Sequence, residues 1–303
     1  MDRNSIAWRG PMVAVITNFD QSGNIDQEAF SINVERMFDN RATGIVVGGC
    51  TGEFWALSHE ERCQLFHLGV QSAKERGDVI VGTGAITAKE TIQLTLEAEQ
   101  AGCSGALILP PYFVKLTDDE IFCHYEKISA ETNLPIILYN IPANAVNSIS
   151  PALALRLSEL DQVVAIKESC GDWNHFYETL IEVKNELRVF CGPSSIYGAP
   201  ATSLGADGTI DCFPNLWAPG GMDLFYSTEA GRLEESQSLQ ITGQKLTKLF
   251  TSGGRTLYPS TKAAMDLLGY PGGNPREPLR QLNQQAIHEL KTGLIALEIL
   301  KPQ

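Results

Sequence analysis

Lys167 is the side chain in this sequence best placed to carry out covalent chemistry. It follows the apolar run Val163–Ile166, and small or β-branched residues in such a run are typical of a strand that is buried on both faces. An amine at the end of that strand would be partly removed from water, and this favours its neutral, nucleophilic form. The alternative is a structural lysine, whose aliphatic stem covers apolar surface while its ammonium group reaches solvent.

Two other strand ends carry polar groups that could serve the same reaction. In the segment Gly-Gly-Cys-Thr-Gly-Glu at residues 48–53, Gly49 lets a ligand approach the backbone, and the Thr51 hydroxyl can bind a carboxylate or phosphate. Tyr139 could move a proton to and from a substrate oxygen. The structural alternatives are a glycine-rich turn and a packed tyrosine. Together with Lys167, these groups would meet the needs of an enzyme that condenses its amine with a 2-oxo acid.

The elements that must position these residues follow an alternating pattern. Short apolar runs predict eight strands, at residues 12–17, 44–49, 79–83, 106–109, 135–139, 163–167, 188–191 and 208–211. Amphipathic stretches lie between them, with helix caps predicted at Ser58 and Thr117. This α/β alternation favours a (β/α)8 TIM barrel, in which the ends of all strands meet at one face. An open doubly wound sheet is the rival, but no GxGxxG motif opens a helix after the first strand.

A C-terminal helical extension follows the predicted barrel. The strand pattern stops near residue 230, and helical patterns occupy residues 237–250, 259–268 and 278–300. We therefore predict a catalytic barrel over residues 1–230 and a C-terminal helical domain over residues 231–303.

Composition excludes several classes of function. A net charge of −13 argues against nucleic acids and anionic membranes as partners. No apolar run reaches the roughly 18 residues that a membrane span needs, and the N-terminus lacks the apolar core of a signal peptide. The seven cysteines form no CxxC pair, which predicts reduced thiols in a cytoplasmic protein. The five histidines have no ligand-like spacing, so we predict no metal site.

Combined, the motifs resemble the dihydrodipicolinate synthase/N-acetylneuraminate lyase family. The resemblance rests on Gly-x-Thr-Gly-Glu at 49–53, Tyr-Asn-x-Pro at 139–142 and Ile-Lys-Glu at 166–168, and it extends through 205–208 and 262–269 to cover nearly the whole chain. It implies a barrel with a C-terminal helical domain, assembled as a homotetramer that is a dimer of dimers. It also implies a Schiff base between Lys167 and pyruvate or a substituted 2-oxo acid, with no other cofactor.

The resemblance also implies roles for individual residues. Tyr139 would be the proton shuttle. Thr51 and the backbone amide of Cys50 would hold the substrate carboxylate, while Gly192 and Ile210 would line the pocket.

Three positions depart from the synthases of this family. Cys50 stands where a threonine or serine is usual, and a thiol is a poorer hydrogen-bond relay than a hydroxyl. Phe113, after Pro-Pro-Tyr112, replaces a second tyrosine that the synthases lend across the dimer interface. Asn144 replaces an arginine that binds the second substrate's carboxylate; we predict that its amide binds a substrate hydroxyl or carboxylate, but an amide offers no charge. These departures argue against a role in lysine biosynthesis.

Asp211 is a fourth departure, because family members usually have a small or hydroxyl residue there. Its carboxylate could act as an acid or base or bind substrate hydroxyls. The alternative is a helix cap or an ion pair behind the site. The Pro-Pro-Tyr motif that ends at Tyr112 and the Gly-Glu-Phe motif at 52–54 are similar to members that cleave or dehydrate deoxy-keto sugar acids, and to related deaminases. The resemblance makes Tyr112 a further candidate substrate-binding residue.

We therefore predict a metal-free, Schiff-base-forming lyase of the aldolase or dehydratase/deaminase type. Its substrates would be pyruvate-derived 2-oxo acids such as 2-keto-3-deoxy sugar acids. Two alternatives stay open: a 4-hydroxy-tetrahydrodipicolinate synthase, and a non-catalytic protein that binds 2-oxo acids.

Overall fold

Eight parallel strands close into a barrel in the computed structural model, which describes residues 1–302. The strands are β1 Gly10–Ala14, β2 Gly44–Val47, β3 Asp78–Gly82, β4 Gly105–Ile108, β5 Ile136–Asn140, β6 Val163–Glu168, β7 Arg188–Cys191 and β8 Gly208–Asp211. The barrel closes where β8 pairs with β1, with Met12 opposite Ile210. The predicted (β/α)8 fold is confirmed. The largest difference in strand bounds is at β1, which ends at Ala14 and not at residue 17.

Twelve α-helices and two short 3₁₀ turns, Phe54–Ala56 and Phe213–Asn215, connect and cover the strands within the described residues. The helices are α1 Gln27–Asp39, α2 His59–Ala73, α3 Ala88–Gln100, α4 Asp118–Glu131, α5 Pro142–Ala145, α6 Pro151–Leu157, α7 Trp173–Val183, α8 Ser194–Ser203, α9 Ala218–Glu229, α10 Leu233–Thr251, α11 Leu257–Leu267 and α12 Gln284–Ala296. The caps predicted at Ser58 and Thr117 are confirmed, and both are capping boxes. None of the helices in residues 1–302 is long and apolar enough to cross a membrane.

The core has one apolar layer inside the barrel and another between the strands and the helices. In β2, Val46 belongs to the inner layer, while Ile45 and Val47 pack in the outer one. Alternate side chains of a strand point to opposite faces, so a strand covered on both sides must be apolar at nearly every position. This explains the continuous apolar runs of the sequence.

The C-terminal helices pack directly on the barrel, with α10 against α8 and α9. The division at residue 230 falls between α9 and α10, and as a domain boundary it stays a prediction. The last predicted helix was wrong at its start: α12 begins at Gln284 and not at residue 278. The Asn283 side chain accepts a hydrogen bond from the Ala286 N–H and caps the helix there, after an irregular segment.

Candidate functional site

A cavity of about 190 Å³ opens at the C-terminal ends of the strands. Seven of the residues that the sequence assigned to a site line its wall: Cys50, Thr51, Tyr139, Lys167, Gly192, Ile210 and Asp211. Gly49 lies beside it, in a small void that it shares with Cys50 and Tyr139. The barrel thus brings together groups that are far apart in the sequence.

Lys167 lies at the centre of this constellation. In the register of β5 and β6, Tyr139 is directly beside Lys167, and the Lys167 Nζ lies 4.3 Å from the centroid of the Tyr139 ring. Burial lowers the pKa of the Lys167 amine, although nearby Cys50 and Asp211 oppose the shift. A buried amine whose neutral form is favoured is the state that nucleophilic attack on a carbonyl requires.

The residues that follow Tyr139 and Lys167 hold the two strand ends together. The Asn140 amide donates to Glu168 Oε2 over 2.6 Å, and the Cys170 N–H donates to Glu168 Oε1 over 2.7 Å. His175, in the first turn of α7, places its Nε2 3.4 Å from Glu168 Oε2. The sequence motifs contained Asn140 and Glu168, but their adjacency on neighbouring strands became evident only with the register.

Glu168, Cys170 and His175 also form a group whose potential ligand atoms all lie within 4.8 Å of one another. Histidine spacing in the sequence gave no sign of this group. Both Glu168 oxygens accept hydrogen bonds, and the Asn140 amide lies 3.1 Å from His175 Nε2. The carboxylate is therefore already satisfied, and we interpret the group as a hydrogen-bonded brace behind Lys167.

A buried ion pair between Glu53 and Lys262 holds the loop that carries Cys50 and Thr51. Glu53, in a left-handed conformation with φ of 55°, lies 2.5 Å from the Lys262 Nζ of α11. Its second oxygen accepts a hydrogen bond from the Arg276 N–H over 3.0 Å. The Glu53 side chain is fully buried, so these two contacts fix the loop to the C-terminal region.

Residue 192 must be a glycine, because Ser169 lies too close to its backbone to leave room for a side chain. A Cβ atom at this position would lie 1.6 Å from the Ser169 Oγ. The Gly192 N–H donates to the Glu168 carbonyl over 2.8 Å, which keeps the loop after β7 tight against β6. Any larger residue would push Ser169 out of the cavity wall.

Asp211 adopts the structural alternative that the sequence left open. Its Oδ2 accepts from the Ser194 hydroxyl over 2.7 Å and from the Ser195 N–H over 3.1 Å, at the start of α8. Its Oδ1 accepts from the N–H of Cys212 over 2.6 Å and from that of Phe213 over 3.4 Å. All four contacts are internal, so the carboxylate acts as a helix cap that also lines the cavity, and a direct role in binding substrate hydroxyls is disfavoured.

Two predicted substrate-binding residues do not line the cavity. Asn144 is exposed on α5, and the Tyr112 ring packs edge-on against Phe54, with 6.0 Å between ring centroids. Phe113 next to it has a φ of 76° and is 85% exposed. None of the three lines the cavity around Lys167, and Tyr112 instead packs against the apolar cluster inside the barrel that contains Phe54.

The outer wall of the cavity comes from helices to which the sequence gave no role. Ser195 of α8, Thr247 and Thr251 of α10 and Tyr258 of α11 line it. Among the described residues of the wall, Lys167 carries the only basic side chain. No local pattern marks these positions, because they meet only when the C-terminal helices pack on the barrel.

The chain is similar to known proteins over almost its whole length. A family model described as the dihydrodipicolinate synthetase family matches residues 7–297. The 4-hydroxy-tetrahydrodipicolinate synthase of Bacillus subtilis (strain 168) is 32% identical over 273 residues, which cover 89% of this chain and 93% of that protein.

Two solved structures extend this similarity to three dimensions. YagE, a prophage protein of the dihydrodipicolinic acid synthase family from E. coli K12 in complex with pyruvate, has a TM-score of 0.93 and 25% identity, covering 97% of this chain and 100% of that one. A dihydrodipicolinate synthase described as the first monomeric variant has a TM-score of 0.90 and 27% identity, covering 97% and 98%.

Proposed function

The chain belongs to the dihydrodipicolinate synthetase family, and from that premise we propose that it is a lyase acting on 2-keto-3-deoxy sugar acids or similar pyruvate-derived 2-oxo acids. The family consists of class I lyases that form a pyruvate-derived Schiff base on a lysine and use no metal cofactor. The non-catalytic alternative is therefore left without support.

In the proposed reaction, the neutral Lys167 amine attacks the 2-oxo carbon and forms a carbinolamine. Tyr139 donates a proton to the carbinolamine oxygen, water leaves, and an iminium ion results. In C–C cleavage, the Tyr139 phenolate takes the proton of the substrate hydroxyl, and the iminium accepts the electron pair of the broken C–C bond. In β-elimination, the iminium accepts the electron pair of the adjacent C–H bond as its proton is removed, and the resulting enamine expels the β-substituent together with its own bonding pair. The Thr51 hydroxyl and the Cys50 N–H hold the carboxylate meanwhile, and hydrolysis returns the free amine.

The observation that carries the choice of substrate is the composition of the outer wall. A second carboxylate on the substrate would need a charged partner there, but the wall offers the neutral hydroxyls of Ser195, Thr247 and Thr251. Thr247 donates to the Ser195 Oγ over 2.9 Å and Thr251 donates to the Thr247 carbonyl over 2.8 Å, and the hydroxyl oxygens keep lone pairs that can accept from a substrate hydroxyl. The nearby Asp211 carboxylate would also repel a second anion. Hydroxyl groups on the substrate suit this wall, and a deoxy-keto sugar acid has one carboxylate and several hydroxyls.

A second candidate function is 4-hydroxy-tetrahydrodipicolinate synthesis, which the name of the B. subtilis relative favours. Both reactions begin with the same iminium at Lys167. They differ in the second substrate, because the synthase must also bind aspartate semialdehyde and its carboxylate.

A substrate panel separates the two functions. We expect borohydride to trap pyruvate on wild-type protein but not on Lys167→Ala, as read by intact mass. We also expect turnover of one or more 2-keto-3-deoxy sugar acids, and little or none of pyruvate with aspartate semialdehyde. Turnover of the semialdehyde alone would establish the synthase, and a wild-type protein without an adduct would refute both.

For the assembly, we propose a homotetramer that is a dimer of dimers. The family is generally oligomeric, although the monomeric variant shows that the fold does not require it. We also propose a cytoplasmic location, which is supported by the seven cysteines, all unpaired.

A further inference from the structure

A second cavity, of about 300 Å³, lies between α11, α12 and the irregular segment that joins these two helices. It shares no lining residue with the cavity around Lys167. Most of its wall is apolar and is formed by Pro259, Ala263, Leu267, Pro275, Leu282 and Ile287. An apolar cavity of about 150 Å³ is enough to hold a benzene ring, so this one has room for a ring that carries a polar substituent.

Asp266 carries the one charge in this wall that has no partner of opposite charge among the described residues. The other charged residue of the wall is Lys262, whose ammonium group pairs with Glu53 and donates to the Asn274 carbonyl over 2.8 Å. The Asp266 side chain is exposed, and its Oδ1 accepts from the Gly272 N–H over 2.8 Å. Desolvation raises the pKa of the Asp266 carboxyl, although backbone hydrogen bonds and Lys262 oppose the shift. A cation in the cavity would therefore compensate a charge that the protein leaves unbalanced.

We propose that this cavity binds a small organic cation, an apolar ring or chain that carries one amine or amidine group, and that Asp266 pairs with its charge. The apolar wall removes the ring or chain from water, which supplies affinity. Asp266 supplies selectivity, because a neutral analogue lacks the charge-assisted hydrogen bond and an anion is repelled.

The wall of this cavity is connected to the loop that carries Thr51. Asn274, in the wall, accepts from the same Lys262 ammonium that pairs with Glu53. Two residues further along the segment, the Arg276 N–H donates to the other Glu53 oxygen over 3.0 Å. A ligand that packs on Lys262 and Asn274 holds this segment in the arrangement that fixes Glu53, and with it the loop.

Binding of the cation and binding of pyruvate should therefore favour each other, and linkage makes this effect reciprocal. The coupling rests on the proposed function in one respect, namely that Thr51 holds the carboxylate of the 2-oxo acid. It acts on the pyruvate half of the site, so it applies to the lyase and to the synthase alike.

Benzamidine is a suitable probe, with benzamide as its neutral analogue of nearly the same shape and benzoate as an anion. In isothermal titration calorimetry of the full chain, we expect benzamidine to bind at least about tenfold more tightly than benzamide or benzoate. Asp266→Asn should weaken benzamidine binding by about tenfold and leave benzamide binding unchanged. The asparagine oxygen can still accept from the Gly272 N–H, so the circular dichroism spectrum should match that of the wild type.

Two further variants locate the site. Ala263→Phe places a ring in the cavity and should abolish the binding of benzamidine and benzamide together. Glu126→Gln removes an exposed carboxylate of α4 that does not line the cavity, and this matched control should bind benzamidine like the wild type.

Borohydride trapping measures the coupling. Benzamidine should lower the pyruvate concentration that gives half-maximal adduct formation by about fivefold in the wild type, and should leave it unchanged in Asp266→Asn and Ala263→Phe. Benzamidine bound beside Asp211 in the cavity around Lys167 would instead compete with pyruvate and raise that concentration.

Equal affinities of the wild type and Asp266→Asn for benzamidine, or no binding by the wild type, would overturn the site. Binding that depends on Asp266 but does not lower the half-maximal pyruvate concentration would overturn the coupling. Neither result affects the proposed function, which fails separately if the wild-type protein forms no pyruvate adduct in the absence of benzamidine.

Discussion

Burial and charge act in opposite directions on the Lys167 amine. Desolvation favours the neutral amine and is the larger effect, while the Asp211 carboxylate favours the ammonium form. The hydrogen bonds that make Asp211 a helix cap also keep its charge close to Lys167. A residue that does not bind substrate directly can in this way set the pH range in which the nucleophile is active.

We predict that the acid limb of Schiff-base formation moves to lower pH in Asp211→Asn. The free amine is the reacting species, so the rate rises with pH through the pKa of Lys167, which lies below the ordinary lysine value. The Asp211 charge is one of the causes that raise this pKa, so the pKa of Lys167 should fall further when that charge is removed. The measurement is the initial rate of borohydride trapping against pH. The control is Asp223→Asn on α9, which removes a carboxylate that is paired with Arg41 and lies outside the cavity wall. No shift in Asp211→Asn, or a shift to higher pH, would contradict the prediction.

The sequence located those site residues that stand at the ends of buried strands. Lys167, Tyr139 and Thr51 were identifiable because an apolar run that ends in a polar side chain is a local signal. The role of Asp211 was not readable, since its partners Ser194 and Ser195 lie on another element. Tyr258 was missed for the same physical reason: only the packing of α11 on the barrel brings it into the cavity wall.

At the scale of elements, the strands were predictable and the C-terminal helices less so. A strand that is covered on both sides is recognisable from a continuous run of apolar residues. The start of α12 is not recognisable in this way, because the helix begins where the Asn283 side chain caps it and not where the helical pattern starts. The Glu53–Lys262 pair is a further tertiary feature that no local pattern reveals. It joins the loop after β2, which carries Cys50 and Thr51, to α11, which carries Tyr258.

We expect Lys262→Met to destabilise the protein by about 3–5 kcal/mol, because it leaves the Glu53 carboxylate buried without its partner charge. The double variant Glu53→Gln/Lys262→Met removes both charges and should recover part of this loss. Urea unfolding of the two variants and the wild type measures the difference. Equal losses in the single and double variants would show that the side-chain packing, and not the unpaired charge, accounts for the effect.

At the scale of the whole molecule, charge and exposed apolar surface indicate which substrates the protein accepts and where other chains can associate with it. A net charge of −13 places the cavity in a negative field, which disfavours substrates with several anionic groups. An acid with a single carboxylate and neutral hydroxyls is compatible with that field. The apolar side chains Ile86, Phe113 and Val114 are exposed together near the mouth of the barrel, and such patches mark association surfaces.

Phe113 is the strongest indication of association between copies of the chain. It holds a left-handed backbone conformation that costs about 1–3 kcal/mol for a residue other than glycine, and it still leaves its ring 85% exposed. Burial against a second copy would offset that cost. We therefore predict that Phe113→Asp shifts the sedimentation coefficient towards that of a monomer.

Leu233→Asp, at a position on α10 that is 67% exposed, is the matched control and should sediment like the wild type. The side chains that line the cavity around Lys167 all belong to one chain, so the dissociated Phe113→Asp variant should still exchange the methyl protons of pyruvate in D2O, as followed by NMR. Dissociation by Leu233→Asp but not by Phe113→Asp would move the interface to the C-terminal helices. Loss of exchange on dissociation would show that a second copy of the chain is needed to complete the site.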